Sequence, residues 1–320
     1  MTATAFAPAT VSNVACGFDV LGFAIGAGGD GAGTDGPGDR VTARLMGDGE
    51  GGVRVVSVTG IAGSGFERLP TEAARNTAGV AAMRLVEAVR PGARVELSVE
   101  KRMPFGSGLG SSAASAVAAV VAVNAVLGQP LPTEALLPFA LDGEAVASGG
   151  RHADNVAPCL FGGFVLVRAP DDVVRLPVPA GLCVAVLHPH VEVLTADARA
   201  ALAATVPLRS MVEQTANLGA LVAALFTGDL DLLKRSLYDV VVEPQRAHLV
   251  PNFSQIQDAA WDAGALGCSL SGSGPSVFAL CRSHAEAKVV GASMQAELYS
   301  LPSTVYVSGV GPGVRLVPSA

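Results

Sequence analysis

A segment rich in glycine and serine at residues 104–114 has the composition of a loop that binds phosphate. Glycine at positions 106, 108 and 110 lets the backbone turn tightly and lets a ligand approach its amide groups. Two serines then open a helix of small residues, and the unpaired amides and positive dipole at a helix start attract anions. The Ser112 hydroxyl is a hard oxygen ligand of the kind that Mg²⁺ prefers. The alternative for this segment taken alone is a flexible turn with a serine N-cap.

Other kinds of phosphate loop are excluded by the sequence. The chain has three lysines, Lys101, Lys234 and Lys288, and none follows a glycine, so the Gly-Lys-Ser/Thr element of P-loop NTPases is absent. The His-Arg-Asp and Asp-Phe-Gly elements of protein kinases are absent as well. A dinucleotide-binding loop would have a third glycine where Ser111 stands. The segment therefore predicts a phosphate site of another type.

The elements on either side of this loop are expected to hold it in place. Residues 94–100 alternate strictly between polar and apolar side chains, which predicts a half-buried strand before the loop. Residues 111–127 carry no charge and predict a buried core helix rather than a membrane span, for which they are short. A second helix is predicted at residues 133–146, with Thr133 as its N-cap. It carries Glu144 near its end, where a carboxylate is costly unless it is paired or bound to a metal.

The rest of the chain predicts an α+β architecture. Residues 26–38 indicate an exposed glycine-rich loop, to which no role is assigned, and residues 169–179, rich in proline and aspartate, indicate a boundary between domains. Further strands are predicted at residues 41–46, 53–59, 164–167, 183–187, on both sides of 271–274, and at 304–308. Further helices are predicted at residues 76–89, 196–204, 208–226, 230–242, 253–263 and 284–299. The order helix, strand, turn, strand, helix, strand in the second half is an α+β pattern.

Composition excludes several classes of function. The chain has 320 residues, half of them hydrophobic, and a formal charge of 21 − 28 = −7 with no basic run, so nucleic acid is not an expected partner. The five cysteines are odd in number and form no Cys-x-x-Cys pair, which indicates reduced thiols in the cytoplasm. The first ten residues lack the basic region of a signal peptide, and no membrane association is expected. Oligomeric state is left open, with a homodimer among the states that the sequence allows.

Three segments in order along the chain resemble the motifs of the GHMP small-molecule kinases, a family named for galacto-, homoserine, mevalonate and phosphomevalonate kinases. Residues 104–114 resemble its ATP loop, residues 8–22 its substrate segment and residues 267–278 its third, glycine-rich motif. The resemblance spans essentially the whole chain. It implies a two-domain α+β fold, with an S5-domain-2-like N-terminal domain at 1–170 that binds ATP, a ferredoxin-like C-terminal domain at 171–320, and a site in the cleft between them.

Within that family, residues 149–158, 188–199 and 243–246 resemble the segments of the homoserine-kinase branch. This resemblance implies a phosphotransferase that uses ATP and Mg²⁺ to phosphorylate L-homoserine in threonine biosynthesis. One alternative is another enzyme of the family that acts on mevalonate, shikimate or a sugar. The other is a non-catalytic relative that senses a ligand, although such relatives usually lose a metal ligand or a loop glycine and this chain keeps both.

The resemblance also assigns roles to residues. It places ATP at Pro104, Gly106, Ser107, Gly108, Leu109, Gly110, Ser111, Ser112, Ala113 and Ala114, with Asn76 and Lys101 near the adenine. It places Mg²⁺ between Ser112 and Glu144. It places the amino-acid substrate at Asn13, Asp19, His152, Asn155, Arg199 and Arg246. For Lys101 the alternative is a solvated charge at a strand end.

The chemistry expected of these residues is positioning and electrostatic stabilisation, because the transition state of phosphoryl transfer is loose. Arg199 and Arg246 would clamp the substrate carboxylate, since an arginine fork binds a carboxylate with two hydrogen bonds. Asp19 would meet the substrate ammonium, although Asn and Asp also favour ordinary turns. Asn155, Thr195 and Arg199 are the predicted catalytic residues, with Asn155 polarising the reacting hydroxyl. No residue is assigned as catalytic base.

Overall fold

The computed structural model describes residues 1–28, 36–50 and 52–318 of the chain, where helices and strands occur in separate runs. The strands are β1 (Thr2–Pro8), β2 (Thr10–Ser12), β3 (Leu21–Gly28), β4 (Gly38–Asp48), β5 (Val53–Gly60), β6 (Ala93–Lys101), β7 (Phe164–Ala169), β8 (Asp172–Leu176), β9 (Cys183–Pro189), β10 (Gly267–Leu270), β11 (Val277–Cys281), β12 (Ser303–Val310) and β13 (Arg315–Val317). The helices are α1 (Thr77–Val89), α2 (Ser111–Val126), α3 (Leu137–Ser148), α4 (Ala153–Phe161), α5 (Thr195–Ala200), α6 (Leu208–Thr227), α7 (Leu230–Ser236), α8 (Glu243–Arg246), α9 (Phe253–Asp262) and α10 (His284–Ala296). The predicted α+β class is confirmed.

The first sheet carries the phosphate loop at the end of one of its strands. Its strand order is β13-β1-β4-β6-β5, and only β5 and β6 pair in parallel among these strands. Along β6 the residues at 93, 95, 97, 99 and 101 are buried, which confirms the alternation read from the sequence. Helix α2 then packs across β1 and β4 with α1 and α3 beside it. Because α2 is buried around nearly its whole circumference, its lack of charge reflects a core position.

The second sheet joins strands from both halves of the chain. Its order is β10-β11-β9-β12-β3-β7-β8, with β2 paired to β3, and β3 pairs with β12 near the C-terminus. In return β13 pairs with β1 in the first sheet. Helices α9 and α10 cover β9 to β12 and enclose a smaller apolar core. Both sheets contain strands from either side of residue 170, so the sheets do not separate the chain at that position. The division into two domains there stays a prediction.

Several local predictions are wrong. No strand was predicted within residues 169–179, but Asp172–Leu176 forms β8 and pairs with β7 in a hairpin. The helix predicted at 230–242 ends at Ser236, because the Asp239 carboxylate accepts hydrogen bonds from the amides of residues 241, 242 and 243 and turns the chain into α8. The helix predicted at 196–204 ends at Ala200. Thr133 begins a 3-10 turn, Thr133–Leu136, and the α-helix starts only at Leu137.

Two other predictions concern the loop at 26–38 and the cysteines. Residues 29–35 of that loop lie outside the described residues, while β3 reaches Gly28 on one side and β4 begins at Gly38 on the other. All five cysteines are buried free thiols. None of the helices in the described ranges combines the length and the apolar character that a bilayer crossing requires.

Candidate active site

One cavity of ≈ 630 Å³ collects most of the residues that the sequence assigned to a site. The predicted residues on its wall are Asn13, Asp19, Asn76, Lys101, Gly106, Ser107, Gly108, Gly110, Ser111, Ser112, Glu144, His152, Asn155, Thr195, Arg199 and Arg246. Four predicted ATP residues are not on the wall. Leu109, Ala113 and Ala114 are fully buried in the main core, where they hold the loop and the start of α2, and Pro104 lies beside the loop.

The loop backbone needs glycine at all three of its glycine positions. Gly106, Gly108 and Gly110 have φ angles of 62°, 74° and 67°, in the left-handed region that other residues rarely adopt. A Cβ atom on Gly108 would lie 2.5 Å from the carbonyl oxygen of Ser271 and 2.6 Å from that of Gly274. The loop therefore approaches another part of the backbone so closely that no side chain fits.

The third glycine-rich segment holds this loop in place. The Ser271 hydroxyl donates to the Gly108 carbonyl at 2.7 Å, and the Ser276 amide donates to the Ser107 carbonyl at 3.3 Å. From the other side, the Thr10 amide donates to the Leu109 carbonyl at 3.0 Å. The loop carbonyls are thus bound, whereas within the described residues no amide of 106–112 donates to a backbone carbonyl. Free amides at a helix start are what a phosphate group requires, so the loop fits a nucleotide.

Lys101 is a buried structural residue rather than a solvated charge. Its ammonium group pairs with Asp39 and donates to the Ser111 carbonyl at 2.9 Å and to the Ser115 hydroxyl at 2.8 Å. Only 3% of Lys101 is exposed, so the solvated-charge alternative is wrong. These contacts join β6 and β4 to the first turn of α2. Sequence reasoning missed Asp39, because an aspartate at the start of a strand gives no signal that it is buried.

Asn76 lies on the cavity wall, where its side chain binds backbone groups. Its side chain caps α1 by accepting from the Gly79 amide at 3.2 Å, and it donates to the Pro70 carbonyl at 2.8 Å. It thereby fixes the segment that leads into α1. A contact between this residue, or Lys101, and the adenine stays a prediction.

Glu144 and Ser112 line the same cavity and fit a magnesium ion. Glu144 is 4% exposed, and its Oε1 lies 3.8 Å from Nδ1 of His152. The neighbouring Glu144 carboxylate raises the pKa of His152 above its ordinary value. The described residues contain no group of three or more His, Cys, Asp or Glu side chains arranged around a metal. One carboxylate and one hydroxyl, completed by water and nucleotide phosphates, are the ligands that Mg²⁺ ordinarily takes in kinases.

Asp19 and Arg199, which also line the cavity, form an ion pair through two hydrogen bonds. Arg199 donates from Nη1 to Oδ2 at 3.0 Å and from Nη2 to Oδ1 at 2.7 Å. This contact with Asp19 raises the pKa of Arg199. Asn13 orients the aspartate, since its Oδ1 accepts from the Asp19 amide at 3.1 Å and its Nδ2 donates to the Gly272 carbonyl at 2.9 Å. Asn13 therefore holds Asp19 in place within the turn, and its contact with the substrate stays a prediction.

Arg246 is a buried cation beside this pair. Its Nε donates to the Ala198 carbonyl at 2.9 Å and its Nη1 to the Gly272 carbonyl at 3.4 Å, and only 3% of the residue is exposed. Burial, followed by the charge of Arg199, lowers the pKa of Arg246. The guanidinium groups of Arg199 and Arg246 both lie over the Phe18 ring, at 5.4 Å and 5.1 Å from its centre. No carboxylate forms an ion pair with Arg246 in the described parts of the chain, which leaves an anion site.

Asn155 lies on the cavity wall beside the end of the phosphate loop. Its Oδ1 accepts from the Thr10 hydroxyl at 2.8 Å and its Nδ2 donates to the Ser12 hydroxyl at 2.9 Å. A Cβ atom on Gly110 would lie 2.9 Å from Oδ1, so the amide touches the end of the phosphate loop. Thr195 is the first residue of α5, the helix that carries Arg199. The structure thus brings the predicted catalytic residues to one cavity, and their roles stay predictions.

Asp154, to which the sequence analysis gave no role, is a fully buried carboxyl group on the cavity wall. Its Oδ1 accepts no hydrogen bond from the described residues. Burial, reinforced by the charge of Asp19, raises the pKa of Asp154 to about 7. The sequence offered one indication of a site position for Asp154, namely that it directly precedes Asn155, a predicted site residue.

Asp154→Asn is expected to remove a pH dependence of folding stability. The pKa of about 7 in the folded chain lies above the value of about 4 of an unfolded aspartate. Between these values the folded chain keeps a proton that the unfolded chain has released, so the aspartate stabilises the fold at low pH and this stability is lost as pH rises through 7. The free energy of unfolding, relative to the variant, should fall by on the order of 2 kcal/mol from pH 5 to pH 8. Denaturant titrations at both pH values measure it, and a constant difference would contradict it.

Comparisons with known proteins identify the family. The family models for the GHMP kinases N terminal domain and the GHMP kinases C terminal match residues 76–163 and 221–300. The homoserine kinase of Chlorobium phaeobacteroides strain BS1 is 44% identical over 323 residues, which cover 97% of this chain and 97% of that protein. The chain belongs to the GHMP kinase family.

Within that family, several homoserine kinases are similar to the chain over nearly its whole length. The homoserine kinase of Xanthomonas campestris pv. campestris is 43% identical and aligns with 98% of this chain and 94% of its own. The crystal structure of homoserine kinase from Cytophaga hutchinsonii superposes with a TM-score of 0.91 at 48% identity, over 99% of this chain and 97% of that one. The L. major mevalonate kinase solved in complex with R-mevalonate has a TM-score of 0.69 at 16% identity and shares the fold. The predicted resemblance and the GHMP kinase fold are confirmed.

Proposed function

We propose that this chain transfers the γ-phosphoryl group of ATP to the side-chain hydroxyl of L-homoserine and so produces O-phospho-L-homoserine for threonine biosynthesis. The relatives that carry the name homoserine kinase, at 43–45% identity, support this proposal. The observation that carries it is the Asp19–Arg199 ion pair, with buried Arg246 beside it, in the cavity that also contains the phosphate loop.

The ion pair is matched to a zwitterion. An amino acid carries one ammonium and one carboxylate on the same carbon. It can therefore offer Asp19 a new cation and Arg199 a new carboxylate at the same time. Its ammonium takes the place of Arg199 at Asp19, and its carboxylate takes the place of Asp19 at Arg199. The number of paired charges then rises, because Arg246 also gains a carboxylate.

The same exchange disfavours the other substrates of the family. Mevalonate has a carboxylate but no ammonium, so binding its carboxylate at Arg199 in place of Asp19 would leave Asp19 without a cation. A sugar has neither group, so it would form no ion pair with Asp19, Arg199 or Arg246. The side chains of Asp19 and Arg199 are each more than a third exposed, so water screens an unpaired charge there and its cost is smaller than for a fully buried pair. The charge pattern therefore favours an amino acid as acceptor.

The nucleotide side of the cavity supplies ATP to this acceptor. The free amides of residues 106–112 would hold the phosphates, and Ser112 and Glu144 would hold Mg²⁺. The metal ion, when bound, neutralises charge that develops on the transferred phosphoryl group. The chain's own contribution is to align the acceptor hydroxyl with the γ-phosphate and to exclude water from the cavity.

Asn155→Ala is expected to lower kcat by roughly a hundredfold with little change in either KM, because the amide acts on the hydroxyl at the moment of transfer. Asn155 touches the end of the loop, and Thr10 and Ser12 fix its orientation. Steady-state kinetics with Asn217→Ala, an asparagine on exposed α6, provide the matched control. Near-normal turnover in Asn155→Ala would show that Asn155 does not polarise the acceptor hydroxyl.

The test of the proposed function is release of ADP from Mg·ATP with L-homoserine as acceptor, beside mevalonate, shikimate and galactose in separate reactions. Turnover with L-homoserine alone is the expected result. Turnover with another alcohol would keep the nucleotide site and overturn the acceptor assignment. Tight ATP binding without turnover on any acceptor would instead favour a ligand sensor.

A further inference from the structure

An ion pair that the catalytic scheme does not use lies beside the phosphate loop. Arg68 ends the 3-10 turn Phe66–Arg68, which leads from β5 toward α1. Its Nη1 donates to Oε2 of Glu192 at 2.7 Å and its Nη2 donates to Oε1 at 3.2 Å. The guanidinium carbon lies 4.7 Å from the centre of the Phe105 ring. The pair therefore joins the segment before α1, the loop itself and the segment that follows β9.

Glu192 lies directly against the first glycine of the loop. A Cβ atom on Gly106 would lie 2.6 Å from Cγ of Glu192 and 3.5 Å from its Oε1. The next residue, Val193, donates its amide to the Gly106 carbonyl at 3.3 Å. A carboxylate this close to the loop repels the phosphates of a nucleotide unless a cation offsets its charge. Arg68 is the cation that does so here.

The other cations on the cavity wall have different positions or partners. The Lys101 ammonium is bound to Asp39, and Arg199 and Arg246 lie over Phe18 on the acceptor side. Arg75 is 3.8 Å from Glu72 with 73% of its side chain exposed. Among the cavity-lining cations in the described ranges, Arg68 alone lies over the ring of a loop residue, Phe105.

We propose that Arg68 is a nucleotide-binding residue and that Glu192 competes with the nucleotide phosphates for it. The planar guanidinium fork that holds the carboxylate with two hydrogen bonds has the geometry to hold phosphate oxygens in the same way. When ATP binds, Arg68 exchanges Glu192 for a phosphate group, and the Glu192 carboxylate turns to solvent. Glu192 thus sets the affinity for the nucleotide, and the two residues act on it with opposite signs. This inference rests on the proposed function, because it takes the loop as the ATP site.

The test is calorimetric binding of ATP, ADP and adenosine without any acceptor, at constant ionic strength. Arg68→Ala is expected to weaken ATP binding about tenfold, and Glu192→Gln to tighten it about threefold because Arg68 is released from its competitor. The double variant should lie between Arg68→Ala and the unaltered chain. Adenosine, which has no phosphate, should bind all four proteins alike. Arg84→Ala, which removes an exposed arginine that pairs with Glu87 on α1, is the matched control and should change nothing.

Opposite signs for the two single variants are the result that a purely structural ion pair would not give. Weaker ATP binding in both Arg68→Ala and Glu192→Gln would mean that the pair only fixes the loop, and it would overturn the inference. An equal loss for adenosine in Arg68→Ala would also overturn it, because Arg68 would then act through Phe105. Turnover of L-homoserine by the unaltered chain is measured separately. If the two single variants do not change ATP affinity in opposite directions but this turnover is normal, the inference about Arg68 fails and the proposed function stands.

Discussion

Replacing Arg246 by alanine is expected to lower kcat/KM for L-homoserine by roughly a thousandfold while the KM for ATP stays within about twofold. Arg246 is buried, and carbonyl groups rather than a carboxylate hold its guanidinium. A carboxylate that enters this site gains a charge-assisted hydrogen bond with a cation whose pKa burial already lowers, so the contact is stronger than at the surface. Arg246→Lys should recover only part of the loss, because an ammonium lacks the planar fork. Steady-state kinetics with each substrate varied in turn measure these effects.

Truncating the substrate tests the same contact from the other partner. The amino alcohol that lacks the carboxylate of homoserine should be a poor acceptor for the unaltered chain and for Arg246→Ala to the same degree, since neither complex contains the contact. Arg209→Ala, which changes an exposed arginine at the start of α6, should leave both acceptors unaffected. A thousandfold loss for the amino alcohol in Arg246→Ala would show a damaged fold and not a lost carboxylate contact. Thermal unfolding of each variant checks the fold independently.

The parts of the fold that the sequence predicts are those with a local pattern. Strict alternation in β6 and the absence of charge in α2 each report how a segment is buried, and both predictions are confirmed. The hairpin at 169–176 was missed, because its proline and aspartate content is that of a turn and the strands on either side are short. The early end of α7 was missed for a related reason. The amides that Asp239 binds are two to four residues away, and only the folded turn brings them together.

The candidate site shows the same division between local and long-range information. The residues of the phosphate loop and of the acceptor segments could be named, because each lies in a short motif. The direct bond between Asp19 and Arg199 could not be predicted, since 180 positions separate them and each was assigned to the ligand. For Lys101 the structure excludes the solvated-charge alternative, because the residue is buried and paired with Asp39, while its place near the adenine stays a prediction. The sequence therefore indicates that a charged residue needs a partner, but only the tertiary structure shows which residue that partner is.

Glu144→Gln is the second substitution with a large expected effect, a loss of kcat of roughly a hundred- to a thousandfold. Glutamine keeps the size of the side chain near His152 but removes the negative charge that would hold Mg²⁺. Ser112 on the cavity wall is the other predicted protein ligand, and a neutral hydroxyl alone binds Mg²⁺ weakly. The concentration of Mg²⁺ that gives half-maximal turnover should therefore rise about tenfold, beyond the effect on kcat. Turnover measured across a series of Mg²⁺ concentrations at fixed ATP separates the two effects.

Asp142→Asn is the matched control, because Asp142 lies on the same helix α3 and forms an exposed ion pair with Arg151 outside the metal site. It should leave both kcat and the Mg²⁺ requirement unchanged, since an exposed pair contributes at most about 1 kcal/mol to stability. Glu144→Gln also removes the carboxylate that raises the pKa of His152, so the pKa of that imidazole should return toward its ordinary value. An NMR titration of His152 therefore reports whether the substitution acted at this position, even where turnover is too slow to measure. A normal Mg²⁺ requirement together with a lowered His152 pKa would mean that Glu144 positions His152 and that the metal is held elsewhere.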